Sequence, residues 1–220
     1  MKITDAHVHI YPPELERDRG KIAADEPWFA ALTSSRCHKW GTAEELVASM
    51  DANGIERAFA TGFAFRDQGL CRMVNDYVLD AAKRFPGRIL PLAVVSPLRC
   101  GAADEIARCA DAGAAGIGEL FPDGQGFDIT DTMQTWRLAA ACDERALFIM
   151  LHTAAQAGHE RQPLVNFLAQ VLGHHGLERE HALEGPHARG GDLFAHQLGV
   201  GGAVLAGEAD HVRRAHPAEP

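Results

Sequence analysis

From its first residues to about residue 153, the chain repeats one unit: a short, almost wholly apolar run followed by a longer stretch with helical periodicity. The apolar runs are "MKITDAHVHI", "ERAFATGFAF", "RILPLAVVSP", "AAGIGELFP" and "LFIMLHT". Between them lie "TAEELVASMDANG", "CRMVNDYVLDAAKRFPG", "GAADEIARCADAG" and "TDTMQTWRLAAACDERA", and "QPLVNFLAQVLG" follows the last. Residues 14–41 read as a long mixed connection. Thr42 caps the first helix, with Glu45 three residues on as in a capping box and Asn53-Gly54 as the stop. Strand followed by helix, over and over, implies parallel strands joined by crossover helices. Strands this apolar are covered on both faces. A doubly wound sheet and a (β/α)8 barrel both satisfy the pattern, but no GxGxxG follows the first strand, so the dinucleotide fingerprint is missing.

Charge and composition narrow the partners. The formal net charge is −9 and no Lys/Arg-rich run occurs, which argues against nucleic acid and anionic membrane surfaces. No apolar run approaches the roughly 20 residues of a membrane helix, and the start carries no apolar secretory core. The five cysteines (Cys37, Cys71, Cys100, Cys109, Cys142) are scattered, without paired spacing. They read as reduced structural thiols of a cytoplasmic protein.

The chemistry concentrates at strand ends. In "DAHVHI", His7 and His9 are two apart, so on a strand they share one face while Val8 takes the other. Two imidazoles one pleat apart can chelate one metal ion, or they can simply be solvent-facing or core histidines. Glu119 closes the fourth strand and His152 the fifth, on the rim where α/β barrels build active sites. Either alone could be a strand-end carboxylate or a satisfied core histidine. Together with the HxH pair they form a metal set of the hydrolytic type, with a position left for water. Asp5 precedes His7 by two, so strict alternation places it on the same face but deeper, as support for a ligand.

These segments resemble the amidohydrolase superfamily, in its amidohydrolase-2 branch. "DAHVHIYP" is similar to that family's first-strand metal motif, "NDYVLDAAKRFPGRILPLAVVSPL" to its third helix and strand, "GAAGIGELFPDGQGFDI" to its fourth strand, and "LHTAAQAGH" to its fifth strand and the loop beyond. The resemblance covers about residues 1–172. It implies a (β/α)8 barrel, incomplete in this chain with about five βα units recognisable, in which His7, His9 and His152 hold a divalent metal, most often zinc and sometimes manganese. It makes Glu119 a candidate bridge between two ions and His159 a loop residue facing substrate. The implied activity is hydrolysis of an amide, ester or lactone by metal-activated water. Decarboxylation by the same metal set, and a catalytically impaired metal-binding remnant, are the alternatives.

Two family features are not cleanly present: a histidine after a sixth strand and an aspartate ending an eighth. "VLAGEADH" nominates Asp210 for the acid–base role of that aspartate, with its offset wrong by one residue. A barrel of this type needs about 250 residues, yet five βα units are used by residue 172. Residues 173–220 form a separate, atypical tail that holds seven of the twelve histidines, and only "VGGAVLAGE" within it resembles a strand. Its excess of Ala, Arg, Gly, His and Pro is that expected of a GC-rich gene translated out of frame; the alternative is a compact family variant whose tail folds back as irregular structure and closes the barrel. Five βα units alone would leave an open sheet edge and bare apolar surface, favouring homo-oligomers or aggregation. The other two frames of the gene after codon 172 test this. One of them is expected to encode an apolar strand followed by an "AH-x-GG"-like motif and, later, a "G-x-D" strand end. The lack of both in either frame refutes the frameshift.

Overall fold

The computed structural model describes residues 2–35, 38–152 and, for the backbone alone, 203–206. Six strands form one sheet: β1 (Ile3–His9), β2 (Ile55–Thr61), β3 (Ile89–Ala93), β4 (Gly116–Leu120), β5 (Phe148–His152) and β6 (Ala203–Ala206). All neighbours are parallel, and their order in the sheet is their order in the chain. A doubly wound sheet reverses its order partway; this one does not, so the architecture is an incomplete barrel of the (β/α)8 type. β6 lies inside "VGGAVLAGE" and adds a sixth strand to the five units legible in the sequence.

The sheet curls. Flat, β2 and β4 would stand about 10 Å apart and β2 and β5 about 14 Å. Instead the Thr61 hydroxyl on β2 donates to the Gly118 carbonyl on β4 at 2.5 Å, and the rings of Phe59 and Phe148 meet edge-to-face across the interior at 5.5 Å. Glycines on β4 admit this curvature. A Cβ at Gly116 would lie 2.8 Å from the Phe148 ring, and one at Gly118 would overlap the Met150 carbonyl. Gly118 also has φ +139°, a backbone state that L side chains rarely adopt.

The helices pack outside. α1 (Pro13–Arg17), α2 (Arg19–Asp25) and α3 (Pro27–Thr33) occupy the stretch read as a mixed connection. They are short, and α1 and α3 each begin with proline at the first turn, where its missing N–H costs nothing. They bury Leu15 and Phe29 against Phe63 and Phe65. α4 (Ala43–Asn53) carries the expected capping box from Thr42 and Glu45 and stops at a left-handed Gly54. α5 (Gln68–Arg84) starts three residues before the expected Cys71 because Asp67 caps it, accepting from the Leu70 amide at 2.8 Å. α6 (Ala102–Asp111), a short α7 (Pro122–Gln125) and α8 (Thr132–Asp143) complete the set. β2 ends at Thr61 rather than Phe65. No described helix is long and apolar enough to cross a membrane. Cys71, Cys109 and Cys142 are buried, and burial pushes each thiol up to about 12, as fits inert core cysteines.

The "NDY" of α5 is structural. Asn75 accepts from the Val94 amide (2.7 Å) and donates both to the Val94 carbonyl (2.8 Å) and to buried Glu105 (2.9 Å). Asp76 pairs with Arg108 at 2.8 Å, and the Tyr77 hydroxyl accepts from the Ala43 amide at 3.0 Å. One helical turn thus ties β3, α6 and α4 to α5. Asn75→Leu leaves buried partners unsatisfied and is expected to cost about 3 kcal/mol, against ~1 kcal/mol for Thr42→Ala at the helix cap. Urea midpoints at unchanged slope check both values and their order.

Candidate metal centre

Local irregularities aim the site. Asp5 aligns with Ala58 and Val8 with Ala60, so β1 carries an extra residue between Asp5 and Val8, the stretch that holds His7. β4 has a second bulge: Ile117 aligns with Ile149, but Leu120 with Leu151. Bulges re-aim side chains and sharpen strand bending. Here one precedes His9 and the other contains Glu119. The first also corrects the expectation for Asp5. The extra residue breaks alternation, leaving Asp5 in register with the Val8 side of the strand rather than with His7. Its carboxylate accepts from the His7 backbone amide at 3.1 Å instead of reaching an imidazole.

His7, His9, Glu119 and His152 meet at the C-terminal rim. His7 Nε2 and His9 Nε2 are 3.1 Å apart, and Glu119 Oε2 lies 3.2 Å from the first and 3.3 Å from the second. His152 approaches from the other side, its Nδ1 3.0 Å from Glu119 Oε1. So among the described residues the converging ligand atoms belong to His7, His9 and Glu119, and His152 joins them through the carboxylate's second oxygen. The side chains of His7, His9 and His152 keep 28%, 30% and 23% of their surface, against 10% for Glu119, so the imidazoles can be approached from the rim.

Proton placement tests the fit to a cation. The Gly62 carbonyl can only accept, so His9 Nδ1–H donates to it at 3.0 Å, and a neutral His9 turns the Nε2 lone pair inward. There it faces a carboxylate oxygen. Burial alone would push the Glu119 carboxyl up, but the imidazoles of His152, His7 and His9 set against it outweigh burial and hold the group well below the usual carboxylate range. Acceptor atoms pressed this close need a proton or a cation among them. Metal–nitrogen bonds of about 2.0–2.1 Å would let one ion touch both imidazoles across 3.1 Å. The residues fit a divalent ion.

Aromatic walls flank the cluster. Tyr11 stacks on His9 at 6.1 Å and contacts His38 and Trp40, while Phe121 lies edge-on to His152 at 4.5 Å with Trp28 behind it. Burial, then the charge of Glu119, pushes the Tyr11 hydroxyl up to about 12, so it keeps its proton. Burial, then Arg19 and His9, push the His38 imidazole down, and its Nε2 is buried without a hydrogen-bond partner. None of these walls was legible in the sequence, nor were the Thr61 and Gly62 contacts. The "GIG" before Glu119 did hold a usable signal, since glycine inside a strand pattern marks a bulge. His159 and Asp210, the helix expected over residues 162–173 and the tail histidines lie outside the described residues.

The family model described as "Amidohydrolase" matches residues 4–206, extending the likeness beyond residue 172 to the end of β6. No curated protein matches this chain. Among solved structures, 5-carboxyvanillate decarboxylase of Novosphingobium aromaticivorans, with bound manganese and 3-methoxy-4-hydroxy-5-nitrobenzoic acid, superposes with a TM-score of 0.59 at 18% identity, over 74% of this chain and 54% of that one. A "probable 2-pyrone-4,6-dicarboxylic acid hydrolase" of Acinetobacter baumannii, with citric acid bound, gives 0.51 at 15% identity, over 78% and 55%. The IDCase of Metarhizium anisopliae gives 0.53 at 15%, over 78% and 56%. The chain therefore spans about half the length of the solved structures it matches, and these likenesses speak to the fold.

The Gly62 contact makes a spectroscopic prediction. Long-range 1H–15N spectra of the metal-free protein are expected to show His9 as the Nδ1–H tautomer, the minor form of a free imidazole. An Nε2–H tautomer would contradict the hydrogen bond that turns Nε2 inward.

Proposed function

This chain belongs to the amidohydrolase family, and on that premise we propose that it acts as a metal-dependent hydrolase on an amide, ester or lactone of a small molecule. One observation carries the reading: His7 Nε2, His9 Nε2 and Glu119 Oε2 stand 3.1–3.3 Å from one another. His7, His9 and Glu119 would hold the ion. Bound there, a divalent metal would polarise a carbonyl and make water nucleophilic near neutral pH. His152 fixes the rotation of the Glu119 carboxylate by holding Oε1, and it is itself a candidate ligand of the same or a second ion. Tyr11 holds the plane of the His9 ring by stacking. Phe121 and Trp28 offer an apolar wall beside His152 that would orient a flat substrate and exclude water. Two imidazoles and a carboxylate suit zinc and manganese alike; zinc is the proposed ion. In the same reading Asp210 is the acid–base, His159 contacts substrate, and the chain divides near residue 172.

Metal analysis of the purified protein tests this. About one equivalent of zinc or manganese is expected. The His7→Ala/His9→Ala double variant should lose it, and replacing the seven tail histidines should not. Glu119→Gln is expected to leave a single, weaker site, whereas a carboxylate bridging two ions would show two anomalous peaks and lose one on substitution. Metal content unchanged in the double variant overturns the assignment. Carbon dioxide release in place of net water addition reassigns the reaction to decarboxylation.

A further inference from the structure

We infer that Thr61 is the positioning residue of the His7–His9–Glu119 cluster: its hydroxyl, bonded to the Gly118 carbonyl, sets the direction in which Glu119 presents its carboxylate. The effect on metal affinity rests on the reading above; the effect on Glu119 does not. Thr61 is fully buried, and its Oγ1 donates to Gly118 O at 2.5 Å. This bond does not belong to the sheet ladder. β2 and β4 are separated by β3, so it spans the barrel interior.

Its acceptor is well placed to matter. Gly118 immediately precedes Glu119 inside the β4 bulge, where the ladder to β5 is out of register and cannot by itself fix the peptide. Holding the Gly118 carbonyl holds the plane of the peptide that carries the Glu119 amide, and with it the origin of the side chain. At its other end the same pair of residues serves the opposite ligand. Thr61 is in register with His9, and the next carbonyl, Gly62 O, accepts from His9 Nδ1 at 3.0 Å. The end of β2 thus sets both the tautomer of one ligand and the aim of another. Valine would fill the same space at position 61 and keep the packing, so only the hydroxyl explains the polar contact in an otherwise apolar strand end.

The test uses Thr61→Val and Thr61→Ser in the full chain. Zinc affinity is read by competition with a chromogenic chelator, and the imidazole signals of the metal-free protein by long-range 1H–15N spectra. Loss of an outer-shell hydrogen bond typically weakens metal binding about 10–100-fold, so Thr61→Val should fall in that range and Thr61→Ser should stay within about threefold of the parent. In a Glu119→Gln background, Thr61→Val should add no further loss, because its effect runs through Glu119. Without metal, the His152 Nδ1–H signal, bonded to Glu119, should shift in Thr61→Val and hold in Thr61→Ser. Parent-like zinc affinity in Thr61→Val, an equal loss in the Glu119→Gln background, or an unmoved His152 signal overturns the inference. If the parent takes up no zinc, the metal reading fails and the His152 signal alone decides the role of Thr61. Should Thr61→Val not fold, Thr61→Cys replaces it, keeping the size with a much weaker donor.

Discussion

A parallel sheet that curls tightly enough for β1 to face β4 across its own interior is the condition on which this site depends. In a flat sheet those strands would lie about 14 Å apart, and His9 could not come within 3.3 Å of Glu119. The curl is a packing outcome. Gly116 and Gly118 remove the side chains that would hold β4 away, Phe148 and Met150 fill the space from β5, and Phe59 closes on Phe148 from β2. Outside, the Asn75–Glu105–Arg108 network and the Tyr77–Ala43 bond hold the helices against one another. Polar clamps thus lie on the helical side and the candidate ligands at the strand ends, the rim that α/β barrels use for their active sites.

Gathering these imidazoles around one carboxylate has an electrostatic cost. A buried carboxylate is stabilised only by donors aimed at it, and Glu119 takes contacts from three imidazoles on two other strands. The scaffold holds the remaining degrees of freedom from outside the cluster, through Gly62 on His9, the Asp5 carboxylate on the His7 amide, and the Thr61 hydroxyl beside Glu119. Supporting contacts of this kind orient metal ligands in general. They also explain why two bulges sit at ligand positions, since a regular ladder gives a side chain no choice of direction.

The solved structures of similar fold include a decarboxylase and a hydrolase, and the chain covers about half of either. Fold alone does not separate the two reactions, because substrate choice resides in the loops beyond the strands rather than in the barrel. In this chain the rim loops present Trp28, Trp40, Phe121 and His38 around the cluster.

The sequence by itself determined the class of fold and the rim that the strand-end residues share. Apolar runs alternating with capped helices require parallel strands, and ionisable residues at the ends of β1, β4 and β5 must share a rim because every crossover returns the chain in the same direction. Thr42, Glu45 and Gly54 were legible for the same reason: caps are local chemistry. Tertiary structure decided the rest. The choice between a doubly wound sheet and a barrel lies in strand order, which no periodicity encodes. The short helices over residues 13–33 form because Leu15 and Phe29 find a cluster to fill, not from any long pattern of their own. That Asp5 leaves the ligand face, and that His152 approaches Glu119 Oε1 while His7 and His9 share Oε2, follows from two bulges. A bulge is a mismatch between two strands far apart in sequence, so it exists only once the sheet is paired.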